Sequence, residues 1–271
     1  MKEYIIRNKK GLILVSIGVF LLIFSLVINK GLTKEELKIS TISYNTDAEV
    51  PESKRLLSEE ELLDIYINSN INTLDFYSNM FQIEKDTLIN KIKEDYQTID
   101  LLNTDNLDKT LLNYIEQLEE NNRELFNNEL NISNPSKDYM VALIKYFTNI
   151  YDNVDFSIAA AIAQIESGYS SQYMLNKNNI FGGMSSGSLI RYKNIEYGIY
   201  SYIKLLSEGY FGKGLTTVEE IGRIYNPTFN EAGVKVAKAS WVNNVNIAME
   251  NYINMNEEIN IDMLMNLKTE L

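Results

Sequence analysis

Val154-Asp155-Phe156-Ser157-Ile158-Ala159-Ala160-Ala161-Ile162-Ala163-Gln164-Ile165-Glu166-Ser167-Gly168 is the stretch on which the fold turns. Asp155 stands where a helix N-cap is expected, and Gly168 where a helix stop is expected. The ten residues before Glu166 carry no charge and are small or apolar on every side, which predicts a helix buried all round. Glu166 then sits at the negative end of the helix dipole, beside Ile162 and Ile165. Both the dipole and an apolar wall disfavour the carboxylate and raise its pKa. A carboxylic acid still protonated near neutral pH is what protonates a leaving glycosidic oxygen. Spacing alone leaves a second reading open, a solvated glutamate at a fraying helix end.

Composition narrows the chemistry. The 271 residues contain no histidine and no cysteine, so serine and cysteine triads of the usual kind, disulfides and thiolate or imidazole metal sites are excluded. Acid–base work must fall to carboxylates, tyrosines or lysines. A net charge of -12 repels a phosphate backbone, which excludes nucleic acid as a partner. Glu59-Glu60-Glu61 and Glu119-Glu120 read as solvated helix faces rather than cation sites. Gly182-Gly183 and Gly212-x-Gly214 lack the strand and basic residue of a phosphate loop, so no cofactor is expected.

Working outward, a helix is expected over about 137–150, with Met140, Leu143, Ile144 and Phe147 on one face. Further helices are expected over about 196–208, 217–226 and 241–254, and glycines concentrated between 168 and 233 place loops and β structure there. Asn134-Pro135 marks the start of this region, read as one domain over 134–255. Residues 256–271 read as an acidic surface helix or tail. Upstream, Ser58 and Glu61 form a capping box, and helical patterns cover about 71–82, 86–96 and 107–126. Residues 57–133 are therefore a helical spacer, with no chemistry of their own.

Residues 11–28 run apolar without a charge, and as a helix would extend about 27 Å, close to the ~30 Å of a bilayer core. Lys2, Arg7, Lys9 and Lys10 crowd the tail at 1–10, so the tail is expected in the cytoplasm and the rest outside. No small-x-small cleavage site follows the run, which favours an uncleaved anchor over a signal peptide. Residues 29–56 lack periodicity and read as a tether.

Four blocks carry a family resemblance. The run from Val154 to Gly168 resembles the catalytic helix of the lysozyme-like superfamily, where Glu-Ser-Gly ends a buried helix. Asn178-Asn179-Ile180-Phe181-Gly182-Gly183 resembles the Asn-x-Phe-Gly signature of the peptidoglycan glucosaminidases of glycoside hydrolase family 73. Arg191-Tyr192 with Glu196 to Tyr202 is similar to that family's next block, an extended strand followed by a helix. Ile221 to Pro227, with Ser240 to Val245, is similar to its closing pattern, in which a tyrosine precedes the last core helix. The blocks fall in the family's order over about 136–255.

The resemblance implies a mainly α, lysozyme-like fold with a small β-hairpin lobe. It implies cleavage of the β-1,4 bond between GlcNAc and MurNAc, with peptidoglycan strands as the partner. Glu166 matches the general acid, and Tyr225 the tyrosine that steadies developing positive charge or orients the N-acetyl group. Asn179 and Phe181 match residues that shape the floor beside the acid and contact sugar, and Tyr192 joins them as a substrate contact. One departure matters. Many members carry a second acid on the hairpin, whereas Met184 to Arg191 contains none, and Glu196 at a helix start is a weak substitute. Attack by the substrate acetamido group, closure of an anhydro ring as in lytic transglycosylases, or an unassigned carboxylate all stay open, as does an inert wall-binding scaffold. A membrane-protein partner bound by the helices over 58–126 stays open as well.

Overall fold

The computed structural model describes residues 58–95 and 107–269. The expected anchor at 11–28, with the expected tail at 1–10 and tether at 29–56, lies outside them, and no helix among the described residues is long and apolar enough to cross a membrane. The described chain is mainly helical. Its described residues divide into two compact units, one of 58–68 with 92–95, the other of 69–91 with 107–269.

In the first unit, helix α1 (Glu59–Ser69) opens on the expected capping box. Glu61 N donates to Ser58 Oγ (3.2 Å) and Ser58 N donates to Glu61 Oε2 (2.7 Å). Helix α3 (Lys85–Asp95) carries the chain from one unit to the other.

The second unit contains α2 (Ile71–Phe81), α4 (Leu107–Asn121), α5 (Lys137–Ile150), α6 (Phe156–Ser167), the short α7 (Gln172–Leu175), α8 (Ile195–Gly209), α9 (Val218–Tyr225), α10 (Ala239–Met249) and α11 (Ile261–Thr269). Two hairpins interrupt the helices, β1 (Met184–Ser185) with β2 (Ser188–Leu189), and β3 (Pro227–Phe229) with β4 (Lys235–Ala237). The first turns through Ser186 and Gly187, at φ 49° and 80°, the left-handed pair that a tight two-residue hairpin turn requires. The second hairpin falls in the glycine-poor end of the region assigned to loops, and its strand pattern is too short to announce itself.

Helix α6 is the centre. From Ile158 to Ala163 every side chain is buried, and Ala159 to Ala163 are wholly so. Asp155 caps its start, accepting from Ser157 N (2.8 Å) and Ile158 N (3.2 Å), worth about 1 kcal/mol. Its alanines let α5 and α10 pack directly against it. Helix α5 also packs on α8 and α11, and α9 on β4 and α10. Ser136 caps α5, and Thr217 with Glu220 forms a capping box on α9.

Packing continues across the proposed boundary at 133/134. Helices α2 and α4, read from sequence as part of a spacer, belong to the same compact unit as residues 134–255. Lys193, buried, donates from Nζ to Phe81 O (2.8 Å), lies 3.6 Å from Glu119 and faces the rings of Phe81, Phe126 and Tyr197. Burial lowers its pKa, and Glu119 partly offsets this. Phe76 of α2 meets Tyr146 of α5 edge-on and Phe147 tilted, and the Tyr77 and Tyr146 hydroxyls bond at 3.1 Å. A composition boundary at Asn134-Pro135 marks a turn here, because the apolar faces on both sides feed one core. The acidic C-terminal stretch is anchored likewise, with Ile261 and Leu264 of α11 buried.

The Asn178–Asn194 segment is pinned by close approach. A Cβ on Gly198 falls 2.1 Å from the Asn178 carbonyl oxygen, so α8 can lie against that loop only with glycine there. Gly198→Ala is expected to cost about 3 kcal/mol or more in chemical denaturation, because backbone blocks the methyl. A loss under about 0.5 kcal/mol contradicts this packing.

Candidate active site

Glu166 lies in the last turn of α6, which ends at Gly168 in the left-handed region (φ 58°), its N–H donating to Gln164 O. Ser167, next to the acid, turns inward and donates to Ala163 O (2.9 Å) while accepting from Tyr169 N (3.1 Å). The helix end is thus held from both sides and does not fray. Glu166 is half-buried.

Its carboxyl group meets partners from outside the helix. Trp241 of α10 donates from Nε1 to Glu166 Oε1 at 2.9 Å. On the other side a Cβ on Gly182 falls 3.1 Å from Oε2, so the loop backbone passes directly under the carboxyl group at a residue with φ 73°. Trp241 and Gly182 are contacts of the carboxyl group beyond the expected Ile162 and Ile165, of which Ile162 is wholly buried. Burial raises the Glu166 pKa, and the Trp241 hydrogen bond, which favours the charged form, partly lowers it. Because Oε1 already accepts a hydrogen bond, the proton of the neutral acid belongs on Oε2.

Tyr225, the last residue of α9, stacks its ring on Trp241 (centroids 5.6 Å apart, planes at 26°). Its hydroxyl donates to the Phe181 carbonyl oxygen, which ties α9 to the loop that passes Glu166. Burial first, and then the Glu166 charge, push its pKa well up, so it stays a neutral phenol. Sequence reasoning gave Tyr225 a role toward substrate charge; the structure adds that this hydroxyl is committed to backbone.

Asn179 is wholly buried. Its Nδ2 donates to Gly183 O and Ile190 O (2.9 Å each), and its Oδ1 accepts from Gly183 N (3.1 Å). The side chain clasps both ends of the β1–β2 hairpin, so it shapes the floor and is out of reach of a sugar. Phe181 is buried too, stacked on Tyr202 at 4.2 Å with planes 11° apart. Both are supports, in keeping with the bland reading of a turn asparagine and a core phenylalanine. Tyr192 is half-buried, its ring 5.8 Å from Phe181, and its hydroxyl lies beside Gly183. The block around it is irregular rather than an extended strand: Ile190 N donates to Gly183 O and Tyr192 N to Lys177 O, which are loop contacts.

Glu196 stands apart. It is buried and accepts from Tyr139 OH (2.8 Å) and Lys268 Nζ (2.7 Å). It lines a cavity of about 730 Å³ with Asn79, Gln82, Asn194 and Lys268, and Glu166 is not part of that wall. Its carboxylate closes an ion pair, which removes it as a water-activating base. No cluster of three or more acidic side chains able to hold a metal occurs among the described residues.

The arrangement thus joins Glu166, Tyr225, Phe181 and Asn179 around one loop, leaves Glu196 elsewhere, and adds Trp241 and Gly182. Trp241 carried a signal, being the chain's single tryptophan and lying inside a matched block. Chemically the site offers one oriented carboxyl group, its pKa raised by burial, beside an aromatic wall.

The raised Glu166 pKa makes a stability prediction. The folded chain favours the protonated acid, so that stability is fully present below the ordinary value of 4.5 and is lost as pH rises through the folded value. Glu166→Gln keeps an acceptor for Trp241 but cannot ionise. Its Tm is expected to exceed that of the unaltered chain at neutral pH and to converge with it in acid; a constant difference across pH contradicts a raised pKa. No protein-family profile matches the chain, and no curated protein or solved structure is significantly similar to it, so what the site does rests on these side chains.

Proposed function

We propose that the chain is a membrane-anchored peptidoglycan glycosidase with a lysozyme-like catalytic region, resembling the glucosaminidases of glycoside hydrolase family 73. In this reading residues 11–28 hold it in the membrane, and the catalytic region cleaves the β-1,4 bond between GlcNAc and MurNAc outside the cell. The observation that carries it is the seat of Glu166, a half-buried carboxyl group whose pKa burial raises and whose Oε1 is held by Trp241. A proton donor fixed in this way contributes about 10²–10⁴-fold to breaking a glycosidic bond. Tyr225 and Trp241 form the wall against which the sugar bearing developing positive charge lies, an electron-rich surface suited to a cationic transition state.

Lytic cleavage, in which a sugar hydroxyl closes an anhydro ring, is the second reading. Two observations favour it over conventional hydrolysis. Met184 to Arg191 supplies no acidic residue, and Glu196 is committed to Tyr139 and Lys268. A single carboxyl group then has to give up a proton to the leaving oxygen and afterwards take one back.

Full-length chain incubated with purified peptidoglycan is expected to release glycan fragments, and Glu166→Gln to reduce release about 10²–10⁴-fold with circular dichroism unchanged. Fragment masses with one added water and a GlcNAc reducing end support hydrolysis, whereas anhydro ends support the lytic route. Full activity in Glu166→Gln sinks the site assignment, and strand binding with no fragments from the unaltered chain points to a scaffold.

A further inference from the structure

The β3–β4 hairpin begins two residues after Tyr225 and ends two residues before α10, the helix that carries Trp241. Its register pairs Pro227 with Ala237 and Phe229 with Lys235. Cross-strand partners share a face, and so do residues two apart on a strand. Ala237, Pro227, Phe229 and Lys235 therefore line one face. A Cβ on Gly222 falls 2.8 Å from Ala237 Cβ and 3.0 Å from the Trp241 ring, which identifies that face as the one meeting α9 and the Trp241 wall. Phe229 extends it outward, yet 70% of its surface is exposed and its ring pairs with no other aromatic among the described residues.

A large bare aromatic on a hairpin of three-residue strands contributes little to folding. Lys235 is equally exposed and has no ion-pair partner among the described residues. An apolar ring face beside an exposed ammonium fits a ligand with apolar sugar faces and carboxylates. We propose that the β3–β4 hairpin is a glycan subsite, in which Phe229 stacks on a sugar ring of the bound strand and Lys235 pairs with a carboxylate that the strand carries. The proposal rests on the glycosidase reading for the identity of that strand.

Binding decides it without turnover. Full-length Glu166→Gln chain in detergent is titrated with solubilised peptidoglycan strands and with the uncharged GlcNAc tetramer. Adding Phe229→Ala is expected to weaken both about tenfold, and Phe229→Trp to restore them. Lys235→Gln is expected to weaken the acidic strands alone. Unchanged dissociation constants in Phe229→Ala overturn the subsite, as does loss of binding to anionic lipid vesicles in place of glycan. An unaltered chain that releases no fragments defeats the glycosidase reading, while the Phe229→Ala ratio still decides the hairpin.

Discussion

The constraint on which the rest of the structure depends is the width of α6. A helix enclosed on all sides has no solvent face for bulky residues, and Ala159, Ala160, Ala161 and Ala163 keep it thin enough for α5 and α10 to reach its backbone. The Tyr202 hydroxyl donates to Ala159 O (3.1 Å) and the Tyr169 hydroxyl to Ala160 O (2.8 Å), approaches that larger side chains would obstruct. The same closeness brings Trp241 of α10 to hydrogen-bonding distance of Glu166. A wider α6 moves α10 outward and leaves the acid to solvent. Core packing and the acid's proton affinity are consequences of one choice of side chains.

A second layer fixes the loop that passes under the carboxyl group. Asn178 donates to Asn131 O and Tyr192 O, Asn179 clasps Gly183 and Ile190, and Tyr225 reaches the Phe181 carbonyl. These bonds satisfy backbone groups that a buried loop otherwise leaves unpaired. They also explain why two adjacent asparagines occur there: one ties the loop to the segment before α5, and the other ties the hairpin to itself. Lys193 continues the chain of contacts to Phe81 and Glu119, so α2 and α4 brace the site from behind.

The helices were legible because their signals are local. Periodicity, Asp155 as a cap and Gly168 as a stop are read from a few neighbouring residues, and α5, α6 and α8 fall within a residue or two of the ranges expected from them. Glu166 was legible for the same reason, since an isolated charge at the end of an uncharged run stands out. What required coordinates were long-range relations. Nothing near Trp241 announces a partner 75 residues earlier, and nothing near Glu196 announces Lys268, 72 residues later. Asn179 shows the limit of residue type: an asparagine in a glycine-rich loop suits a ligand contact and a loop clasp equally, and only its burial decides for the clasp. The packing of α2 and α4 into the same unit was hidden likewise, because Asn134-Pro135 signals a turn whether or not the flanking helices share a core.

The opposing influences on Glu166 set how the proposed reaction proceeds. Burial alone holds a proton tightly, and a donor that holds too tightly is a poor acid. The Trp241 N–H acts in the other direction, since its bond to Oε1 strengthens as the carboxylate forms. The geometry therefore favours neither extreme: burial favours keeping the proton, and a fixed donor already meets the conjugate base once the proton leaves. A base prepared in this way can take a proton back from water or from a sugar hydroxyl, without a second carboxylate. With Glu196 locked to Lys268, that double duty is what the proposed reaction asks of Glu166.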